Sequence, residues 1–422
     1  MTITVPYGDG SISAKIPDGV RVNLVEPKIE SVAGTEEERI EAALDAPIGT
    51  PRLEEMVKPS DRVLIVVNDH TRPGPNREIA AALLSRLRRA GVPDGNIRFI
   101  CATGSHRAPT DREIRAILGD EVVEKYEIVM HDCRDTERLF LLGEVDGLSV
   151  WLNKALLEAD FVITTGLIAP HHTAGFSGGR KSILPGITGL ETLRTHHSLP
   201  LRPYEPSMGV LEGNRFHDVA LRAAQMAGVR FIVNAVQDMK KQNVRYVAGD
   251  LALAHAEGVR ICRERNTVDI PSLADVVVCS PGGYPRDSDL YQAQKGLAVA
   301  ETLVRPGGTM ILCARAELGV GEGLFPQWMK EGESPEAIVE RYRREGFNVG
   351  NNKAFLYARA LLRGKILVVS GLLDPAELKE MFLDSAPDLQ SALDKVLPQY
   401  KDPLVTVLPR AVSMIPRVTE QA

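Results

Sequence analysis

Along most of the chain, short apolar runs alternate with amphipathic stretches, and this alternation is the first thing the sequence tells. Arg62 to Val67 (RVLIVV), Ile97 to Cys101, Tyr126 to His131, Phe161 to Thr165 and Arg230 to Val236 are too short and too uniformly apolar for surface helices. They predict strands buried on both faces, the pattern of a parallel sheet. Between them, Glu36 to Leu44, Ile79 to Ala90, Asp111 to Leu118, Leu152 to Leu157, Arg215 to Gly228 and Leu251 to Arg265 carry helical spacing. The alternation resumes after a linker, NTVDIPSLAD. Strands are expected at Asp275 to Ser280, Thr309 to Cys313 and Lys365 to Ser370, with helices at Pro335 to Glu345, Ala354 to Leu362 and Pro375 to Phe382. Strand then helix, repeated, predicts α/β architecture. Two α/β domains with mainly parallel sheets follow from 422 residues, with the active-site cleft expected between them. Their expected limits are 1–270 and 271–401. The closing stretch 402–422, with a strand at Leu404 to Leu408, is a candidate to return to the first. Residues 1 to 25 alternate apolar and polar about a Gly-Asp-Gly turn and predict a hairpin leading in.

Composition removes several classes of function. With 44% hydrophobic and 25% charged residues and a net charge of -6, the chain is an ordinary globular one with no basic footprint for nucleic acid. Cys101, Cys133, Cys262, Cys279 and Cys313 are odd in number and form no C-x-x-C, so neither a disulfide framework nor a cysteine zinc site is expected. A reducing cytoplasm fits. No apolar run resembles a signal peptide or approaches a membrane span.

Chemistry concentrates where strands end. Phe161 to Thr165 empties into GLIAPHHTAGFSGGRKSILP, which holds adjacent histidines His171 and His172, four glycines and the pair Arg180-Lys181. Gly178 and Gly179 would let backbone N–H groups approach an anion, with Ser177 adding a hydroxyl and Arg180 charge, a phosphate-binding composition. Gly175 to Ser182 misses the P-loop pattern because Arg180 stands where its second glycine belongs, and ten residues separate the loop from its strand, so nucleotide hydrolysis is disfavoured. A mobile surface loop is the plain alternative, weakened by Ile183, Leu184 and Pro185, which would anchor the segment again. Two more strand ends carry polar clusters. Asn68, Asp69, His70, Thr71 and Arg72 follow the first, and His106 with Arg107 follows the second. The helical segment after Pro185 presents His196 and His197, each as consistent with a satisfied core histidine as with a functional one. Asp132, Arg134 and Asp135 read better as a solvated turn. Gln292 and Lys295 share one helix face at i, i+3, which a solvated face would also explain.

Taken together, DHTRP at 69–73, GSHR at 104–107, PHHTAGFSGGRKSILPG at 170–186, THHS at 195–198 and YQAQK at 291–295 resemble the nickel-pincer lactate racemase family over most of the chain. The resemblance implies an isomerase: a racemase or epimerase inverting C2 of a lactate-like 2-hydroxy acid. It implies a nickel-pincer nucleotide, a pyridinium-3-thioamide-5-thiocarboxylic acid mononucleotide with nickel, joined to Lys181. It implies His197 as metal ligand, His106 and His171 as the acid/base pair, and Asp69, Arg72, Gln292 and Lys295 as cofactor or substrate contacts. Proteins that make the cofactor would be maturation partners. One departure stands out. The position before the expected ligand is His196, where a smaller polar residue such as Asn is expected, which leaves open which of the two binds metal, with His197 favoured. The family chemistry suits these residue types: Cα–H of a 2-hydroxy acid is barely acidic, so a hydride acceptor is needed, while side chains position and move the hydroxyl proton. Arg72 can grip a carboxylate bidentately and Lys295 can add a point charge. A C2 epimerase of a sugar acid and a cofactor-free small-anion binding protein are the alternatives.

Overall fold

The computed structural model describes residues 1–25, 32–72, 74–199 and 208–419. They fall into two compact units, one holding residues 32–199 and 209–265, the other residues 1–25, 208 and 266–419. Each has a six-stranded sheet of its own.

In the first unit the strands lie in the order Asn243–Gly249, Val229–Gln237, Phe161–Ile168, Val63–Asn68, Ile97–Ala102, Glu127–Met130. All neighbours are parallel except the first pair. The uniformly apolar strands are explained by burial on both faces. Val63, Ile65 and Val67 pack with Ile79, Leu83 and Leu87 of helix Asn76–Arg89. Leu64 and Val66 point the other way, to Val219, Ala220 and Ala223 of helix Arg215–Met226. Strand direction alternates side chains between faces, so one run feeds two cores. The chain starts at Val63–Asn68, builds outward through Ile97–Ala102 and Glu127–Met130, then returns to place Phe161–Ile168 on the opposite side of the first strand. That reversal lies between Val63–Asn68 and Phe161–Ile168, and loops leaving the carboxyl ends of such a pair flank a natural crevice.

The second unit orders its strands Asp384–Ala386, Lys365–Val369, Val304–Cys313, Ala274–Cys279, Leu404–Leu408, Arg21–Leu24, all parallel. Two expectations of domain membership are corrected here. Strand Leu404–Leu408 pairs with Ala274–Cys279 and Arg21–Leu24 and does not return to the first unit. The N-terminal hairpin, Thr2–Tyr7 against Gly10–Lys15, also belongs to the second unit. Its alternating Ile3, Val5, Ala14 and Ile16 close the core formed by Val276, Val278, Ile311, Leu367, Val405 and Val407. A hairpin's single apolar face needs a partner, and this one is supplied by the far end of the chain, from Val276 onward.

Local differences have local causes. Leu152 to Leu157, expected as a helix, is the end of strand Leu148–Asn153 followed by a 3-10 turn, Lys154–Glu158. Leu148, Val150 and Leu152 are buried at period two, and the strand pairs with Leu139–Val145 through Asp146-Gly147, both at positive φ (54° and 77°). Asp-Gly between apolar alternations is a hairpin signal. Strand Asn243–Gly249 was not anticipated, and part of the expected linker is a strand, Thr267–Ile270, paired with Ile415–Val418. All five cysteines are buried, and none is joined in a disulfide. Among the described residues no helix is long and apolar enough to cross a membrane.

Candidate active site

Three loops leave the carboxyl ends of adjacent parallel strands in the first unit, and the candidate residues stand on them. The first follows Val63–Asn68. Asp69 is 1% exposed, and its Oδ1 accepts from the Thr71 backbone N–H (3.1 Å) and hydroxyl (2.7 Å), a closed turn that carries Arg72 outward to an exposed position. From the second loop, after Ile97–Ala102, His106 brings Nδ1 to 2.7 Å from Asp69 Oδ2. Burial works to raise the Asp69 carboxyl, but the His106 and Thr71 hydrogen bonds outweigh it and hold the group below its ordinary value. Asp69 is therefore a carboxylate, an acceptor only, so His106 donates from Nδ1 and carries its lone pair on Nε2. The His106 side chain is 44% exposed. A fixed carboxylate behind a half-exposed imidazole is the arrangement of an oriented general base.

The third loop turns the groups of its phosphate-binding composition inward, onto the protein's own backbone and side chains. Pro170–His171 and Gly175–Phe176 form a two-residue antiparallel ladder. Ser177 donates its hydroxyl to Leu167 O (2.6 Å) and accepts from Ala169 N–H (3.0 Å), and Gly179 N–H donates to Asn234 Oδ1 (2.8 Å). The glycines answer to packing. Gly178 (φ +82°) lies where a Cβ would meet Asn234 Oδ1 and Ile168 at 2.7 Å, and Gly175 (φ +73°) where it would strike the Val210 carbonyl. Arg180 is wholly buried. Its Nη2 donates to Ala174 O (2.8 Å), its Nη1 to Gly178 O (3.2 Å) and to His255 Nε2 (2.7 Å), and no carboxylate pairs with it among the described residues. Its donors are thus turned into the loop. Desolvation pushes the guanidinium down to about 9, and the charge it retains acts on its surroundings.

Beside it, Lys181 lies half-buried on the 3-10 turn Gly179–Ser182, with Nζ 3.0 Å from His171 Nε2 and 5.7 Å from the centre of the Phe216 ring. Desolvation first, then the Arg72 and Arg180 charges, hold the amine well below the ordinary lysine value. His171 accepts at Nδ1 from the backbone N–H groups of Thr173 and Ala174, both at 3.1 Å, and stacks on His172 at 4.8 Å. Its imidazole is also held well below its usual value, by desolvation and then by Lys181, His172 and the two guanidinium charges.

The two remaining histidines separate cleanly. His196, at 0% exposure, donates Nε2–H to the Phe216 carbonyl (2.9 Å) and packs its ring 3.7 Å from the Phe216 ring, a core role. His197, in the last turn of helix Leu190–Ser198, is half-buried and donates Nδ1–H to Leu193 O (2.8 Å), which puts the ring's lone pair on Nε2. Its ring meets Phe216 edge-on at 5.1 Å.

The loops thus bring together Asp69 and His106 as one hydrogen-bonded pair, His171 and Lys181 as another, with Lys181 and His197 sharing the Phe216 ring. Gln292 and Lys295 lie in the other unit, on helix Leu290–Leu303, where Lys295 Nζ donates to Gln292 Oε1 at 2.8 Å. Asp132 accepts from Arg134 N–H (2.9 Å), a local turn. Phe216, Asn234 and His255 were not singled out from sequence. Asn234 carried a signal, an amide at the centre of the apolar run FIVNAV. Phe216 and His255 carried none, since each sits in an ordinary amphipathic helix.

Comparison with known proteins follows the same outline. A family model described as the lactate racemase N-terminal domain matches residues 7–208, and one described as the lactate racemase C-terminal domain matches residues 270–416. The chain is 35% identical over 425 residues to a lactate racemase of Thermoanaerobacterium thermosaccharolyticum, covering 98% of this chain and 99% of that protein. It is 34% identical over 432 residues to a lactate racemase of Lactiplantibacillus plantarum, again covering 98% and 99%. The structure of the T. thermosaccharolyticum lactate racemase apoprotein superposes with a TM-score of 0.91 at 34% identity, over 99% of this chain and 100% of that one. A Thermotoga maritima protein with 19% identity and a TM-score of 0.67 shares the fold, over 93% of this chain and 100% of that one.

Proposed function

Since the chain belongs to the lactate racemase family and is therefore a racemase, an isomerase, we propose that it inverts C2 of a lactate-like 2-hydroxy acid with a nickel-pincer nucleotide joined to Lys181. The observation that carries the reading is the pairing of Lys181 Nζ with His171 Nε2 at 3.0 Å, beside an independently oriented His106–Asp69 pair. A lysine amine held in a cationic pocket against an imidazole has no packing purpose.

The donor set fits such a group. Among the described residues no three His, Cys, Asp or Glu side chains are grouped to hold a metal. A metal here must arrive already carrying other donors, to which His197 Nε2 would add one imidazole. His196, committed to the Phe216 carbonyl and buried, is unsuited to that role. When bound, the group would supply a hydride acceptor and donor, the chemistry that side chains lack. The buried Arg180 charge, rather than an exposed phosphate clamp, is what the loop offers an anionic mononucleotide.

The remaining steps belong to the chain. Arg72, exposed at the mouth of the first loop, binds the substrate carboxylate with its planar fork. His106, held by Asp69 with its lone pair on Nε2, takes the hydroxyl proton of one enantiomer as hydrogen leaves C2. The planar 2-oxo acid then turns its other face, and His171 serves the hydroxyl oxygen there. Maturation by cofactor-synthesis proteins in the cytoplasm is part of the proposal, and the lack of disulfides among the five cysteines supports a reducing location.

The test uses protein produced in cells that make the cofactor. Each enantiomer of lactate should be converted to the racemic mixture, with nickel and a nucleotide-sized adduct on the Lys181 peptide. Lys181→Ala should lose adduct and turnover while keeping its fold; His197→Ala should lose nickel and keep the adduct. Fully active protein with an unmodified Lys181 would overturn the covalent reading, and activity restricted to sugar acids would favour epimerisation.

A further inference from the structure

An imidazole carries one lone pair when neutral. At His171 that lone pair is claimed: two backbone N–H groups, of Thr173 and Ala174, point at Nδ1 from 3.1 Å. The ring proton must then sit on Nε2, and Nε2 is 3.0 Å from Lys181 Nζ. An ammonium has three donors and no acceptor, so two donors would face each other if Lys181 were charged. We propose that, in the chain before any group is attached, His171 is a positioning residue that donates Nε2–H to Lys181 and holds its amine uncharged, the nucleophilic lysine of this molecule.

The surroundings favour the same state. The groups acting on the Lys181 and His171 pair are Arg72 on the first loop, Arg180 in the same 3-10 turn, and His172 stacked on His171. His196 and His197, which share the Phe216 ring with Lys181, feel its charge. None of these groups is an anion, so among the described residues acting on the pair an ammonium would find no counter-charge. The use of the amine rests on the function proposed above. Its lone pair forms an N–C bond to an acyl or thioacyl carbon that carries a leaving group. That group departs with the bonding pair, a nitrogen proton leaves with it, and no oxidant or reductant is required. The resulting amide or thioamide nitrogen no longer accepts a hydrogen bond. His171 then loses the acceptor that committed Nε2, so attachment itself would release the second imidazole for proton transfer to substrate.

The experiment reads amine chemistry in cofactor-free protein, so a chain that never takes the nucleotide would still give the result, and failure of the proposed function is detected separately by metal and adduct analysis. Acetic anhydride is applied in trace amounts from pH 6 to 11, and N-acetylation is followed by peptide mass spectrometry, with exposed Lys401 as internal reference. Lys181 should reach its plateau rate at least about one pH unit below Lys401, whose plateau belongs near the ordinary lysine value of about 10.4. His171→Gln, whose amide oxygen can take the two backbone N–H groups while its NH₂ faces Nζ, should keep the early plateau. His171→Glu presents an acceptor and a negative charge, and should move the plateau up by about one pH unit or more, a roughly tenfold slower labelling at pH 7.5. A Lys181 profile that coincides with Lys401 in the unaltered protein overturns the inference without reference to any variant. So does one shared midpoint for the unaltered protein, His171→Gln and His171→Glu.

Discussion

Asp69 and Arg72 stand three residues apart on one loop and do unlike work. Asp69 is buried and held as a carboxylate by His106 and Thr71, so replacing it with Asn should leave the loop closed yet let His106 turn its lone pair toward the amide, the wrong nitrogen for a base aimed outward. Turnover of the loaded enzyme should fall on the order of 10²-fold or more with little change in KM. Steady-state rates in both directions check this, and a normal kcat would remove His106 from the role of base. Arg72→Lys keeps the charge and discards the fork, so kcat/KM should fall about tenfold or more, chiefly through KM. Unchanged kinetics would place the carboxylate elsewhere. Residue types at a strand end single out both positions in the sequence, but there Asp69 reads only as a cofactor or substrate contact, and its hydrogen bond to His106 appears in the fold. Arg180 shows the opposite case: sequence gives its type and neighbours, but its direction depends on Ala174 O, Gly178 O and His255, which only the folded loop assembles. The same holds for His196 and His197, identical in type and adjacent, where one helical step of 100° sends one ring into the core and leaves the other half-exposed.

At the level of elements, the apolar runs and their amphipathic partners are enough to find the central parallel strands of both sheets and most helices, because burial on both faces leaves a strong compositional mark. What was missed is short or diluted: the hairpin of Leu139–Val145 with Leu148–Asn153, of which only Leu152 to Leu157 is marked, as helix; strand Asn243–Gly249, whose polar Asn243 and Arg245 weaken the signal; and the parallel strands Thr267–Ile270, Asp384–Ala386 and Ile415–Val418, of three or four residues each. Domain membership of the N-terminal hairpin was not legible, since local pattern says that a face is apolar and not which distant core it closes. The loop 170–182 is the element on which the site depends, and its stability rests on glycine geometry. Gly175→Ala places a Cβ against the Val210 carbonyl at positive φ. It should cost about 1–3 kcal/mol and displace the two-residue ladder that carries His171. Urea unfolding measures the cost. Cofactor-free Gly175→Ala protein should also lose the early plateau of Lys181 acetylation, while the Asp69–His106 pair, on other loops, keeps its geometry.

All nine histidines, His70, His106, His131, His171, His172, His196, His197, His217 and His255, lie in one unit, and the other has none. That distribution predicts how the whole molecule responds to acid. Burial pushes His131 and His217 down to about 4, and His196 and His255 are held well below their ordinary value by desolvation, with neighbouring positive groups adding to it. The unfolded chain binds protons at these imidazoles below about pH 6.5, and the folded unit does not. Unfolding is therefore favoured as pH falls through 6.5, and for His131 and His217 the loss stops growing once pH passes about 4. His131, at 1% exposure between Thr188 O and Asn153, should alone account for on the order of 1–2 kcal/mol by pH 5. The second unit has no such groups. Its two-tryptophan sequence allows the units to be watched separately, since Trp151 lies in the histidine-bearing unit and Trp328 in the other. In Trp328→Phe protein, the urea midpoint reported by Trp151 should drop clearly between pH 7.5 and 5. In Trp151→Phe protein, the midpoint reported by Trp328 should move much less, and His131→Gln should flatten the Trp151 response. Equal shifts at the two tryptophans would mean that acid acts through the carboxylates both units share, and not through the buried imidazoles of one.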